Sequence, residues 1–102
     1  MPSLIDDNLD EIGRLCRLHG VRKLEVFGSV LRSDFDPQRS DVDVLVEFES
    51  RVASSFANFL DFKEALERLL GRPVDLVELQ AVRNRRLRHY IEQSKSPVYA
   101  AA

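Results

Sequence analysis

The chain has 102 residues, 44% apolar and 31% charged, which fits one small domain over residues 1–102 and excludes a disordered chain. Its formal net charge of −2 provides no whole-molecule field for gathering nucleic acid, and its one cysteine excludes an internal disulfide or a cysteine-built metal cluster. No apolar run approaches a membrane span and no signal peptide is visible, so no membrane contact and a cytoplasmic address are expected.

Residues 4–18 carry apolar side chains at helical spacing, with Ile5, Leu9, Ile12 and Cys16 in one stripe, and Gly20 is placed to end that helix. On that stripe Cys16 reads as a buried structural thiol. His19, near the helix C-terminus, reads as structural too. Arg22 to Phe27 is the first expected strand and runs into a Gly28-Ser29 turn, where Ser29 is placed to cap a short helical turn over Val30 to Arg32. A polar loop containing Pro37 follows. Asp41 to Glu49 alternates well, with Val42, Val44, Val46 and Phe48 on one face and Asp41, Asp43, Leu45 and Glu47 on the other. An amphipathic helix is predicted over 55–70, stopped by Gly71 and Pro73. Within it Phe56 and Phe59 are expected in the core, with Phe62 off the stripe centre and half exposed. Val74 to Leu79 is a third strand. A basic helix near 83–93 follows, with Leu87, Tyr90 and Ile91 on one face, and Pro97 to Ala100 adds a short last strand. This order implies an α/β (α+β) fold, a small mixed sheet with helices mainly on one face.

The chemistry is concentrated in few residues. Asp41 and Asp43 share a strand face, and two carboxylates so close repel unless a cation lies between them. Hard carboxylate oxygens suit magnesium, and a Gly28-Ser29 turn offers backbone N–H groups and a hydroxyl to phosphate. Asp75 stands in the apolar strand Val74-Asp75-Leu76-Val77, where an unpartnered buried carboxylate is costly. If that strand lies beside the second, Asp75 reaches the face of Asp41 and Asp43. Each acid taken alone reads more simply as a solvent-facing strand residue; the combination points to a metal-bound nucleoside triphosphate.

Gly28-Ser29-x-x-Arg32, then Ser40-Asp41-x-Asp43-x-Leu45-Val46, together with Leu69 to Val77, resembles the minimal nucleotidyltransferase (MNT) family of the DNA polymerase β-like superfamily. The likeness runs over nearly the whole chain. It implies a nucleotidyltransferase fold and makes Asp41, Asp43 and Asp75 the catalytic, metal-binding acids, holding two Mg2+ ions. It assigns Gly28, Ser29, Arg32 and Ser40 to the nucleotide. Ser33 departs from the glycine that relatives often carry after the arginine. The resemblance further implies an antitoxin that transfers AMP from ATP to a tyrosine hydroxyl of a HEPN-type ribonuclease toxin, in a homo-oligomer or a hetero-oligomer with that toxin.

Two other classes stay open on sequence grounds: a binding-only antitoxin that blocks its toxin without chemistry, and an enzyme acting on a small-molecule hydroxyl. Arg83, Arg85, Arg86, Arg88 and His89 form a basic stripe. Such runs are most often a solvated helix face; the functional reading is a contact with an acidic partner or with RNA, and partner contact is preferred because neighbouring acids do not neutralise the cluster.

Overall fold

The computed structural model describes residues 3–28, 41–53, 55–78 and 81–101. Its elements are α1 (Ser3–Asp6), α2 (Leu9–Leu18), β1 (Val21–Phe27), β2 (Val42–Phe48), α3 (Phe56–Leu70), β3 (Val74–Glu78), α4 (Arg85–Ser94) and β4 (Ser96–Ala100). The expected Val30 to Arg32 turn, the Pro37 loop and the Leu79 end of the third strand lie outside the described residues.

The four strands form one sheet in the order β3-β2-β1-β4. β1 pairs antiparallel with β2 and with β4, whereas β2 and β3 run parallel, so the sheet is mixed as expected. The parallel pair follows from connection length: α3 lies between β2 and β3 and carries the chain back to the starting end. α3 has well-defined ends. The Ser55 hydroxyl accepts from the Asn58 N–H at 3.1 Å, and Gly71 caps the far end at φ 69°, where its N–H donates to the Glu67 carbonyl.

The single helix expected over 4–18 is two. Asp7 and Asn8 interrupt it, with the Asn8 side-chain amide donating to the Leu4 carbonyl at 2.8 Å. A short polar side chain that satisfies backbone groups locally competes with a continuous helix. Leu9, expected in the apolar stripe, is consequently exposed, while Ile5, Ile12 and Cys16 are buried.

The main core lies between one sheet face and α1, α2 and α3. It contains Val42, Val44, Val46 and Phe48 from β2, Val74 and Leu76 from β3, and Phe62, Leu66 and Leu70 from α3. Phe62 is fully buried, not half exposed, and meets Phe48 edge-on at 6.0 Å. Phe56, expected inside, is 71% exposed at the first turn of α3. These two positions exchange roles because α3 meets the sheet through its middle and C-terminal turns. Burial pushes the Cys16 thiol up to about 12, which leaves it an inert apolar group. His19 is structural: its Nδ1 lies 2.9 Å from the Leu15 carbonyl oxygen and its ring tilts against Phe62.

The opposite sheet face is covered by α4. There Phe27, Leu45, Val82 and Ile91 form a second, smaller cluster, with Val77 packed against it. Of the three residues expected on the apolar side of α4, only Ile91 is buried; Leu87 and Tyr90 are exposed. No helix among the described residues is long and apolar enough to cross a membrane.

Candidate active site

Strand register determines which acids meet. In β2, alternation turns Val42, Val44 and Val46 to the main core, so Asp43 faces the α4 side with Leu45 and Glu47. The parallel register pairs Asp43 directly with Asp75 of β3, and Val42 with Val74 before it. Two carboxylates are thereby set side by side on neighbouring strands, Asp43 half-buried and Asp75 exposed. Asp41 lies two residues before Asp43 and is exposed. Among the described residues no group of three or more His, Cys, Asp or Glu side chains is gathered to hold a metal ion. The arrangement drawn together by the backbone is the Asp43 and Asp75 pair, with Asp41 next along the chain.

Gly28 completes this end of the sheet. Phe27 is the register partner of Asp43, and the chain then turns at Gly28 with φ 69°. A Cβ at Gly28 would collide with the Asp43 carboxylate oxygen and stand 3.4 Å from its Cγ. Glycine is thus required twice, for the left-handed backbone and for the space the carboxylate occupies. Ser29, Arg32 and Ser40, the other expected nucleotide-binding residues, lie outside the described residues.

Two supports escaped sequence reading. The Glu67 carboxylate on α3 accepts from the Val74 N–H at 3.0 Å and from Lys63 Nζ at 3.1 Å. The backbone hydrogen bond is the main cause holding Glu67 below its ordinary carboxylate range, and Lys63 adds to it against the opposing cost of burial. This bond fixes the start of β3 one residue before Asp75, where the strand runs along the sheet edge. The second support is Glu25, buried on β1. It takes Lys95 Nζ at 3.3 Å and Lys23 Nζ at 3.8 Å, tying β1 to the residue that leads into β4. Burial works against the Lys95 charge, but Glu25 and then Glu92 outweigh it and hold the ammonium above its ordinary range. The sequence signal for Glu67 was its i, i+4 spacing from Lys63; nothing local marked its reach to Val74.

The chemistry available here is that of paired carboxylates beside a glycine turn, at one end of a sheet whose other face is a filled core. Comparison with known proteins agrees with that reading. The family model described as a nucleotidyltransferase domain matches residues 12–98. A candidate protein adenylyltransferase of Methanocaldococcus jannaschii, MJ1379, is 32% identical over 93 residues, covering 83% of this chain and 92% of its own length. A solved structure of a candidate minimal nucleotidyltransferase superposes with a TM-score of 0.74 at 34% identity, covering 90% of each chain. A chain in the solved complex of the tri-AMPylated HEPN toxin of Shewanella oneidensis with an MNT antitoxin matches with a TM-score of 0.68 at 19% identity. That match covers 95% of this chain and 73% of the other, and at such identity it speaks to the fold. With paired strand acids, a glycine turn and a mixed four-stranded sheet in place, the chain belongs to the nucleotidyltransferase domain family, as a minimal nucleotidyltransferase.

Proposed function

We propose that this chain is a protein adenylyltransferase that moves AMP from ATP onto a hydroxyl, a tyrosine, of a HEPN-type toxin and thereby acts as its antitoxin in the cytoplasm. The observation that carries the reading is the register pairing of Asp43 with Asp75 beside Gly28. The kinship with a candidate protein adenylyltransferase supports the reaction, and the fold shared with a chain of a HEPN–MNT complex supports the partner.

In the transfer, the hydroxyl oxygen forms a bond to the α-phosphorus of ATP. The bond from that phosphorus to the bridging oxygen of the β-phosphate breaks, and pyrophosphate leaves with the electron pair. The hydroxyl proton passes to a carboxylate, for which Asp75, at the exposed edge strand, is the accessible choice. Asp41, Asp43 and Asp75 would hold magnesium. The donor set is all hard carboxylate oxygen, and the missing side chain at Gly28 leaves the Asp43 carboxylate the space it occupies. Bound there, magnesium supplies charge neutralisation for the triphosphate and the departing pyrophosphate. Gly28, Ser29, Arg32 and Ser40 would take the phosphates through backbone N–H groups, hydroxyls and a guanidinium.

Intact-mass spectrometry of a HEPN partner incubated with the chain, ATP and magnesium tests this reading. A mass gain of one or more AMP groups on the partner is expected. An unmodified partner in a stable complex would instead establish a binding-only antitoxin.

A further inference from the structure

We propose that a groove at the end of the sheet opposite the carboxylates, from Phe56 on α3 across β3 to Arg88 on α4, is the docking surface for an acidic segment of the acceptor protein that carries an apolar side chain. The proposal rests on the reading above that the acceptor is a protein.

Topology puts this surface away from the nucleotide. β2 and β3 start at the acid end and finish together at the other, where Val46 pairs with Glu78. Arg88 lines a cavity of about 480 Å³ there with Arg22, Glu47, Phe48, Ser50 and Glu78. Asp43 lies four residues before Glu47 on β2, about 13 Å along an extended strand. Arg88 therefore faces something other than the triphosphate.

Among the described residues none of Arg83, Arg85, Arg86 and Arg88 forms an ion pair, and all are exposed. Arg85, Arg86 and Arg88 occupy the first turn or so of α4, which has no acid there. Cations at a helix N-terminus oppose the helix dipole. Helix stability alone would favour acids in those places, so the arginines fit a demand from outside the chain.

An apolar anchor site adjoins them. Phe56 stacks on Phe59 with centroids 6.3 Å apart and planes 9° from parallel, and Phe59 in turn meets the core ring of Phe48. Beside this pair a cavity of about 420 Å³ is walled by Leu76, Val77, Ala81 and Val82. It shares Ala53 and Glu78 with the arginine-lined cavity, so the two form one groove over an edge strand. Exposed aromatics beside arginines are the composition of a protein-binding hot spot. Nucleic acid fits less well, because each nucleotide would bring a phosphate toward Glu47 and Glu78 in the groove wall. A polypeptide can space its carboxylates to meet the arginines and insert an apolar side chain between them.

The test is calorimetric titration of the chain with the HEPN-domain protein encoded beside it, at low and high salt. Two variants are compared with wild type: the triple reversal Arg85→Glu, Arg86→Glu and Arg88→Glu, and Phe56→Ser. The triple variant should bind about a hundredfold more weakly with a flattened salt dependence, and Phe56→Ser about tenfold more weakly. Magnesium–ATP binding should be unchanged in both. The triple variant should melt at or above the wild-type temperature, since glutamates at a helix start favour the dipole. Wild-type affinity in both variants overturns the proposal, as does the lack of any wild-type complex. Wild-type binding of a single-stranded RNA of about 20 nucleotides that the triple variant loses would also overturn it, in favour of nucleic acid. AMP transfer with undiminished variant binding defeats only this docking surface; a groove-dependent complex without AMP transfer defeats only the catalytic reading.

Discussion

The two faces of the sheet are built from the same strands and do different work. On β2, Val42, Val44, Val46 and Phe48 sit under α2 and α3 in the main core, while Asp43, Leu45 and Glu47 look the other way. On that second face Val82 and Ile91 cover Phe27 and Leu45. Among the described residues, one end carries the paired carboxylates and the other carries Arg88 beside an aromatic pair. Stability is concentrated on one face, which leaves the other free to hold groups that a folded chain would not choose for stability.

That contrast breaks cleanly if one residue from each face is changed. Asp43→Ala should lower AMP transfer on the order of a thousandfold, the scale of removing a central electrostatic group, with a near-native melting temperature. Phe62→Ala should do the reverse, costing about 3–5 kcal/mol by emptying a fully buried site, out of a total stability of roughly 5–15 kcal/mol. Thermal melts and transfer rates on both variants check the pair. An inactive Asp43→Ala that is also unfolded would show that the faces are not separable.

Gly28→Ala sharpens the boundary between them. The left-handed backbone costs a non-glycine residue about 1–2 kcal/mol, and the new methyl collides with the Asp43 carboxylate. Nucleotide affinity should fall by about tenfold or more while the core survives. Unchanged magnesium–ATP affinity in a titration would make the turn a strand terminator and nothing else.

A smaller effect is expected at Glu67. Replacing it with glutamine weakens a charge-assisted bond to the Val74 N–H, at a cost of about 1 kcal/mol, and loosens the strand that carries Asp75. Its folded pKa lies below the ordinary value of 4.5, so its contribution is full above pH 4.5 and is lost as pH falls through the folded value. The stability gap between wild type and Glu67→Gln should therefore close below about pH 4.5. A gap constant from pH 7 to pH 3 would assign the loss to packing.

Much of this was legible in the sequence because alternation is a local signal. The Val/Asp alternation over residues 41–49 reveals both faces of β2, and Gly71-x-Pro73 marks the end of α3. Which residue of β3 stands beside Asp43 follows from register, and the order of residues from Val74 to Val77 was enough to put Asp75 on the correct face. What failed depended on docking. Phe56 and Phe62 are both aromatic and lie six positions apart; only the line along which α3 meets the sheet separates an exposed ring from a buried one. The break at Asp7-Asn8 was hidden by a stripe whose spacing continues across it. Glu67 reaching Val74 across the Gly71–Pro73 turn, and Lys95 reaching Glu25 on a distant strand, leave no signature in the pattern of either helix.

The most direct test of the paired carboxylates as a metal–nucleotide site is a comparison of melting temperatures for wild type and Asp75→Asn, in EDTA and with magnesium–ATP. Asp43 and Asp75 stand side by side on adjacent strands, so removing one of two like charges should not destabilise the metal-free fold. In EDTA the variant should melt at or above the wild-type temperature. At a hundredfold excess of magnesium–ATP over its Kd, wild type should gain about 2.7 kcal/mol and the variant far less, reversing the order. Equal midpoints in EDTA with equal gains from magnesium–ATP would contradict a shared site at Asp43 and Asp75.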